Sequence, residues 1–163
     1  GREDEFAGEE RILVPSPNVA TYDLKPEMSA FELTDKLEEA ILSEKFDLIV
    51  VNYANTDMVG HTGVIKACIE ACEVVDGCLN DILKSLDKVS GKALITADHG
   101  NSDFALNADG TPNTAHSLNP VPIVVIDKDV KEVKDGVLAD VAPTILRLMK
   151  VDAPKEFEGK VLI

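Results

Sequence analysis

The sequence predicts an α/β fold, a mostly parallel sheet with helices on both faces, and three observations carry that expectation. Short β-branched apolar runs recur at residues 46–53 (FDLIVVNY), 92–97 and 121–126 (VPIVVI), each the length of a buried strand. Segments of helical periodicity occupy residues 29–44, 64–89 and 136–149. Strands that alternate with helices are covered on both faces, which favours parallel order. The 163 residues suffice for one domain with its own core, and neither a repeat nor a linker divides residues 1–163.

Each element has a local reason. Residues 11–16 (RILVPS) read as a short strand stopped by Pro15 and Pro17. Ser29 and Glu32 have the spacing of a capping box and open a helix whose apolar side is Phe31, Leu33, Leu37, Ala40 and Ile41. The strand at 46–53 follows. The helix at 64–89 carries Cys68, Cys72, Val75, Leu79, Ile82 and Leu86 at steps of three and four, a single apolar stripe. Gly91 turns the chain into the strand at 92–97. A polar loop then runs over residues 98–119, long enough to suggest function or mobility. After the strand at 121–126 and the last helix, residues 159–163 (GKVLI) read as a short edge strand.

Composition narrows the function. The formal net charge is −14 and no basic cluster is present, which argues against nucleic acid. An anionic substrate would be repelled by such a surface unless bound divalent cations reverse the local field. Its non-reacting end would then be gripped by residues outside this chain. No apolar run is long enough to span a membrane, and the charged start (GREDEFAGEER) is unlike a secretory signal. A cytoplasmic protein is the expectation. The three cysteines Cys68, Cys72 and Cys78 form neither a C-x-x-C pair nor an even set. Cys68 and Cys72 read as small core residues rather than redox or metal groups.

The chemistry concentrates at the three histidines, His61, His99 and His116. His61 and His99 fall just beyond predicted strands, where open α/β sheets bind ligands. The long loop can return His116 to the same rim. Asp57 and His61 are four residues apart, so one helical turn points both the same way. Asp98 and His99 are adjacent, and share a target only if the backbone turns sharply; Gly100 permits that. Blander readings exist: Asp57 or Asp98 as a helix N-cap, His116 as a solvated loop residue, the acidic excess as a solvated surface. Taken together, two carboxylates and three imidazoles without thiolate suit Mn²⁺ or Zn²⁺. They exceed one tetrahedral site, and two ions with open positions account for them.

At these residues the sequence resembles the cofactor-independent phosphoglycerate mutases. The likeness lies in Asn52-Tyr-Ala-Asn-Thr-Asp-Met-Val-Gly-His-Thr-Gly63, in Ile95-Thr-Ala-Asp-His-Gly-Asn101, in Thr114-Ala-His-Ser-Leu-Asn-Pro-Val-Pro122 and in the run from Pro15 to Ser29. It extends over essentially the whole chain, and three motifs in order make it specific. The resemblance implies an alkaline-phosphatase-like fold, here incomplete. Residues 1–163 would be the C-terminal portion of the catalytic domain, without its N-terminal strands and inserted substrate-binding domain.

The resemblance also implies two Mn²⁺ ions, one held by Asp57, His61 and His116, the other partly by Asp98 and His99. Thr56 stands where that family often has proline. The nucleophilic serine and a further aspartate would lie upstream, so no catalytic residue is expected in this chain, and Ser117 beside His116 lacks a placed base. The implied reaction interconverts 3-phosphoglycerate and 2-phosphoglycerate through a phosphoserine, without bisphosphoglycerate. The chain alone would be inactive and prone to self-association. Alternatives are another two-metal phosphotransferase or hydrolase of the same superfamily, and a non-catalytic metal-binding module.

Overall fold

A computed structural model describes residues 4–163. The chain runs through helices α1 (Ala30–Leu42), α2 (Asn55–Gly60) and α3 (Ile65–Lys88), strand β1 (Ala93–Thr96), strand β2 (Ile123–Ile126) and helix α4 (Val141–Met149). Short 3-10 turns lie at Tyr22–Leu24, Ser102–Phe104 and Leu138–Asp140.

α1 and α3 form the scaffold. Leu37 and Ile41 of α1 close on Ile82 of α3, with Tyr53, Leu79, Leu86 and Val89 packed around them. Polar contacts fix the same seam. Buried Thr34 donates to the Ala30 carbonyl at 2.7 Å, so it accepts the Tyr53 hydroxyl hydrogen at 2.7 Å. Ser85, wholly buried, donates to Glu38 at 2.6 Å across the helix pair.

Three local expectations are corrected. Ser29 makes no cap hydrogen bond to α1. Its hydroxyl donates to the Pro15 carbonyl at 2.7 Å and ties down the upstream segment. Its ψ of 24° is not the extended geometry an N-cap side chain needs. On α3 the buried line is Ala67, Cys68, Ala71, Cys78, Ile82 and Ser85, while Cys72 is exposed. Successive steps of four drift around a helix, so Ala71 and Cys78 occupy core positions on the 3,4-alternating stripe and Cys72 rotates out. Phe31 likewise lies in solvent.

The α/β arrangement is present, but its one ladder among the described residues is antiparallel. β1 pairs with β2 in the register Ala93↔Ile126 to Thr96↔Ile123. A loop rather than a crossover helix joins them, and that connection lets the chain double back. The loop at 98–119 is more ordered than its composition suggested. It contains the turn at Ser102–Phe104 and isolated bridges Gly100↔Ser117 and Leu106↔Pro112. Residues 46–53 and 11–16 have no ladder partners among the described residues, and Val50 and Leu13 are 82% and 88% exposed. β-branched composition favours extended backbone but supplies no neighbour to hydrogen-bond with.

Residues 159–163 are also not a strand. Instead Asp140 accepts the backbone N–H groups of Val137 at 2.8 Å and Lys160 at 2.7 Å, and Leu162 N–H donates to Thr144 at 3.1 Å. The final helix accordingly begins at Val141 rather than near Gly136, with residues 138–140 as its entry turn.

Two outcomes follow from this architecture. The N–H donors of Lys160 and Val137 hold the Asp140 carboxyl below the ordinary carboxylate range. Its contribution is therefore complete above the unfolded value, about 4, and is lost as pH falls through the lower folded value. Asp140→Ala should lower the thermal midpoint at pH 7 and flatten the midpoint's decline below pH 4; equal declines in both proteins would contradict this. The exposed run at 46–51 should make the isolated chain self-associate in sedimentation velocity, and Val50→Glu should shift the distribution towards monomer.

Candidate metal centre

The centre is assembled from three backbone segments. The first is α2. Asp57 lies in its first turn and His61 follows its last residue, and His61 N–H bonds to the Asp57 carbonyl at 3.0 Å. One helical turn thus brings His61 Nε2 to 3.2 Å from Asp57 Oδ1, as the spacing predicts. The helix is held from beneath. Val59 is wholly buried against Ala67, Cys68, Ala71 and Ala105, and full burial of such a side chain contributes about 1.5–3 kcal/mol. Buried Asn55 donates to the carbonyls of Pro26 and Glu27, both at 2.9 Å.

The second segment leaves β1 as residues 98–101, and the third is the returning loop at 114–119. Ser117 N–H donates to the Gly100 carbonyl at 2.7 Å, which sets His116 beside His99. Their rings stack with centroids 3.6 Å apart and planes 14° apart. His116 Nε2 lies 3.3 Å from Asp57 Oδ1, and the His61 and His116 ring centroids are 5.2 Å apart. Ligand atoms of Asp57, His99 and His116 fall within 4.8 Å of one another. Asp98 Oδ1 is 3.7 Å from His99 Nε2, with its side chain mostly in solvent. Asp57, His99 and His116 therefore converge, with His61 beside Asp57 and Asp98 beside His99.

Gly100 acts differently from the sequence expectation. It does not adopt a positive φ. It leaves room instead, since a Cβ there would lie 2.2 Å from Ser117 Oγ and 2.6 Å from Asp103 Oδ1.

Gly60 does the same for the contact between α2 and the turn after His99, where a Cβ would meet Asn101 Oδ1 at 2.3 Å. Through that gap Asn101, 4% exposed, donates Nδ2 to Asp57 Oδ1 at 2.7 Å, and Ser102 Oγ donates to the Thr56 carbonyl. Neither Asn101 nor the Thr114 carbonyl described next was apparent from sequence. The adjacency of Asn101 to the Asp-His-Gly triplet was the one available signal.

The donor set fits a divalent cation. The Thr114 carbonyl lies 2.7 Å from His61 Nδ1, and a carbonyl only accepts, so Nδ1 carries the proton. In that tautomer the Nε2 lone pair faces Asp57 Oδ1. Two lone pairs at that distance require a proton or a cation between them, and the carbonyl fixes the tautomer that leaves Nε2 free to ligate. Buried His99 Nδ1 has no hydrogen-bond partner. Carboxylate and imidazole without thiolate match a borderline or hard ion, and Cys68 and Cys78 lie away in the α3 core.

A family model described as the metalloenzyme superfamily matches residues 1–153. The chain is 62% identical over 165 aligned residues to a 2,3-bisphosphoglycerate-independent phosphoglycerate mutase of Parabacteroides distasonis, covering 100% of this chain and 32% of that protein. It is 58% identical to the protein of the same description from Bacteroides thetaiotaomicron, again covering 100% of this chain and 32% of the relative. A crystal structure of Leishmania mexicana phosphoglycerate mutase at low cobalt concentration aligns with a TM-score of 0.83 and 34% identity, covering 92% of this chain and 31% of that one. The chain thus spans about a third of the length of these relatives.

Gly60→Ala should push Asn101 off Asp57 and destabilise the protein by about 1–3 kcal/mol, the usual range for overpacking. Denaturant unfolding checks the stability. Long-range ¹⁵N–¹H spectra of the wild type should show His61 protonated at Nδ1; the opposite tautomer would contradict the role given to the Thr114 carbonyl.

Proposed function

The chain belongs to the metalloenzyme superfamily, and on that premise we propose that it forms part of a phosphoglycerate mutase. The reaction is interconversion of 3-phosphoglycerate and 2-phosphoglycerate through a phosphoserine, without bisphosphoglycerate. The observation that carries this reading is the convergence of Asp57, His99 and His116 at one rim, in a chain that aligns end to end with mutases at 54–62% identity.

In this reading Asp57, His61 and His116 hold one divalent ion, and Asp98 and His99 help to hold a second. Mn²⁺ suits that set of ligands. When bound, such ions polarise a phosphoryl group and offset the charge on its oxygens. The chain's own residues do the positioning. Asn101 orients the Asp57 carboxylate, and the Thr114 carbonyl sets the His61 tautomer. The stacking of His99 on His116 brings the two ligand sets side by side.

The nucleophile and the groups that grip the glycerate end belong to residues outside this chain. Two observations support that division. The chain has a net charge of −14, so it offers an anion no general attraction of its own. Ser117, the serine next to His116, donates to Asp103 at 2.9 Å and is engaged in holding its loop. No helix among the described residues is long and apolar enough to cross a membrane, and a cytoplasmic site of action is part of the proposal.

The full-length protein should turn over phosphoglycerates and not pentose phosphates; the reverse preference would favour a related phosphotransferase. Asp57→Ala and His116→Ala should each lower kcat by roughly 10²-fold or more, the scale for removing one charge-stabilising group. Unchanged rates would instead indicate a metal site without catalytic part. Purified 163-residue chain should show no turnover.

A further inference from the structure

We propose that the turn at residues 101–103 is the element that positions the centre's ligands, and that Asp103 is the positioning residue holding His116 in place. The inference rests on the metal-centre reading above, but concerns residues outside the ligand set.

The His116 ring itself meets other ligands at the rim: the rings of His99 and His61 and the carboxylate of Asp57. Its position must therefore be set by its neighbours. Those neighbours converge on one carboxylate. Ser117 Oγ lies 2.9 Å from Asp103 Oδ2 and 3.2 Å from Oδ1, and Asn119 Nδ2 donates to Oδ2 at 2.5 Å. Among the described residues, Asp103 is the side chain that clasps both. These donors hold its carboxyl below the ordinary range, so it accepts from both at neutral pH.

The same turn grips α2 from its other end. Asn101 Nδ2 donates to Asp57 Oδ1 at 2.7 Å, and Ser102 Oγ to the Thr56 carbonyl. Three consecutive residues thus join the segment bearing Asp57 and His61 to the segment bearing His116, with His99 just before them in the chain. The loop is fastened further along as well. Asn113 donates its side chain to the Phe104 carbonyl at 2.8 Å and its N–H to the Ala105 carbonyl at 2.9 Å. Both Asp103 oxygens face Ser117, and Oδ2 also accepts from Asn119, so its contacts are to the loop that carries His116. Outer partners of this kind shift metal affinity by about 10–100-fold.

The test uses the full-length protein with Asp103→Ala, Asp103→Asn and Ser117→Ala. Mn²⁺ binding is followed by isothermal titration, and the His99–His116 ring contact by NMR of metal-free protein. Asp103→Ala should weaken Mn²⁺ about 10–100-fold and lose the ring contact, with a wild-type circular dichroism spectrum. Asp103→Asn keeps one acceptor oxygen and should fall between Asp103→Ala and wild type; Ser117→Ala removes one donor and should do the same. Wild-type affinity with an intact ring contact in Asp103→Ala would overturn the inference. Should Asp103→Ala fail to fold, Asp103→Asn and Ser117→Ala decide the matter on the same two measurements. If the wild type binds no Mn²⁺, the metal-centre reading fails, while the ring contact still decides whether Asp103 positions His116.

Discussion

The centre depends on the close approach of the Asn101 and Ser102 side chains to the backbone of α2. α2 and the turn at Ser102–Phe104 come together across Gly60, where a side-chain carbon would collide with Asn101. That approach lets Asn101 reach Asp57 Oδ1, the same oxygen that His61 and His116 face. One oxygen thus gathers contacts from three segments of chain. Moving any segment by a fraction of an ångström would pull a hydrogen bond or a ligand off that point.

The scaffold beneath keeps the segments from moving. α2 is only six residues long, too short to hold its shape from helix propensity alone. Val59 sunk against α3 and Asn55 tied to the chain before α1 supply what its length does not. α3 in turn is locked to α1 by the Leu37–Ile41–Ile82 cluster and by Ser85 bonded to Glu38. Apolar burial supplies most of the free energy, and the polar contacts select the register.

The surface has two contrasting parts. Acidic residues dominate the whole, and at the rim carboxylates and imidazoles crowd together in a way that invites cations. Along residues 46–51 an apolar extended segment lies open instead, with Val50 almost bare.

Much of the centre was legible in the sequence. Asp57 and His61 at helical spacing, His99 after a predicted strand with Asp98 beside it, and His116 at the end of the long loop were enough to single out these five residues. The helical periods of α1 and α3 were legible too, apart from the rotation that places Ala71 and Cys78 inward and Cys72 outward. These features are local: spacing within one turn determines which side chains share a face. The antiparallel pairing of β1 with β2, the absence of a ladder at 46–53, and the work of Asn101, Asp103 and the Thr114 carbonyl were decided only in three dimensions. Each depends on which distant segment comes to lie alongside, and contacts between residues 44 or 53 positions apart leave no periodic trace in the chain.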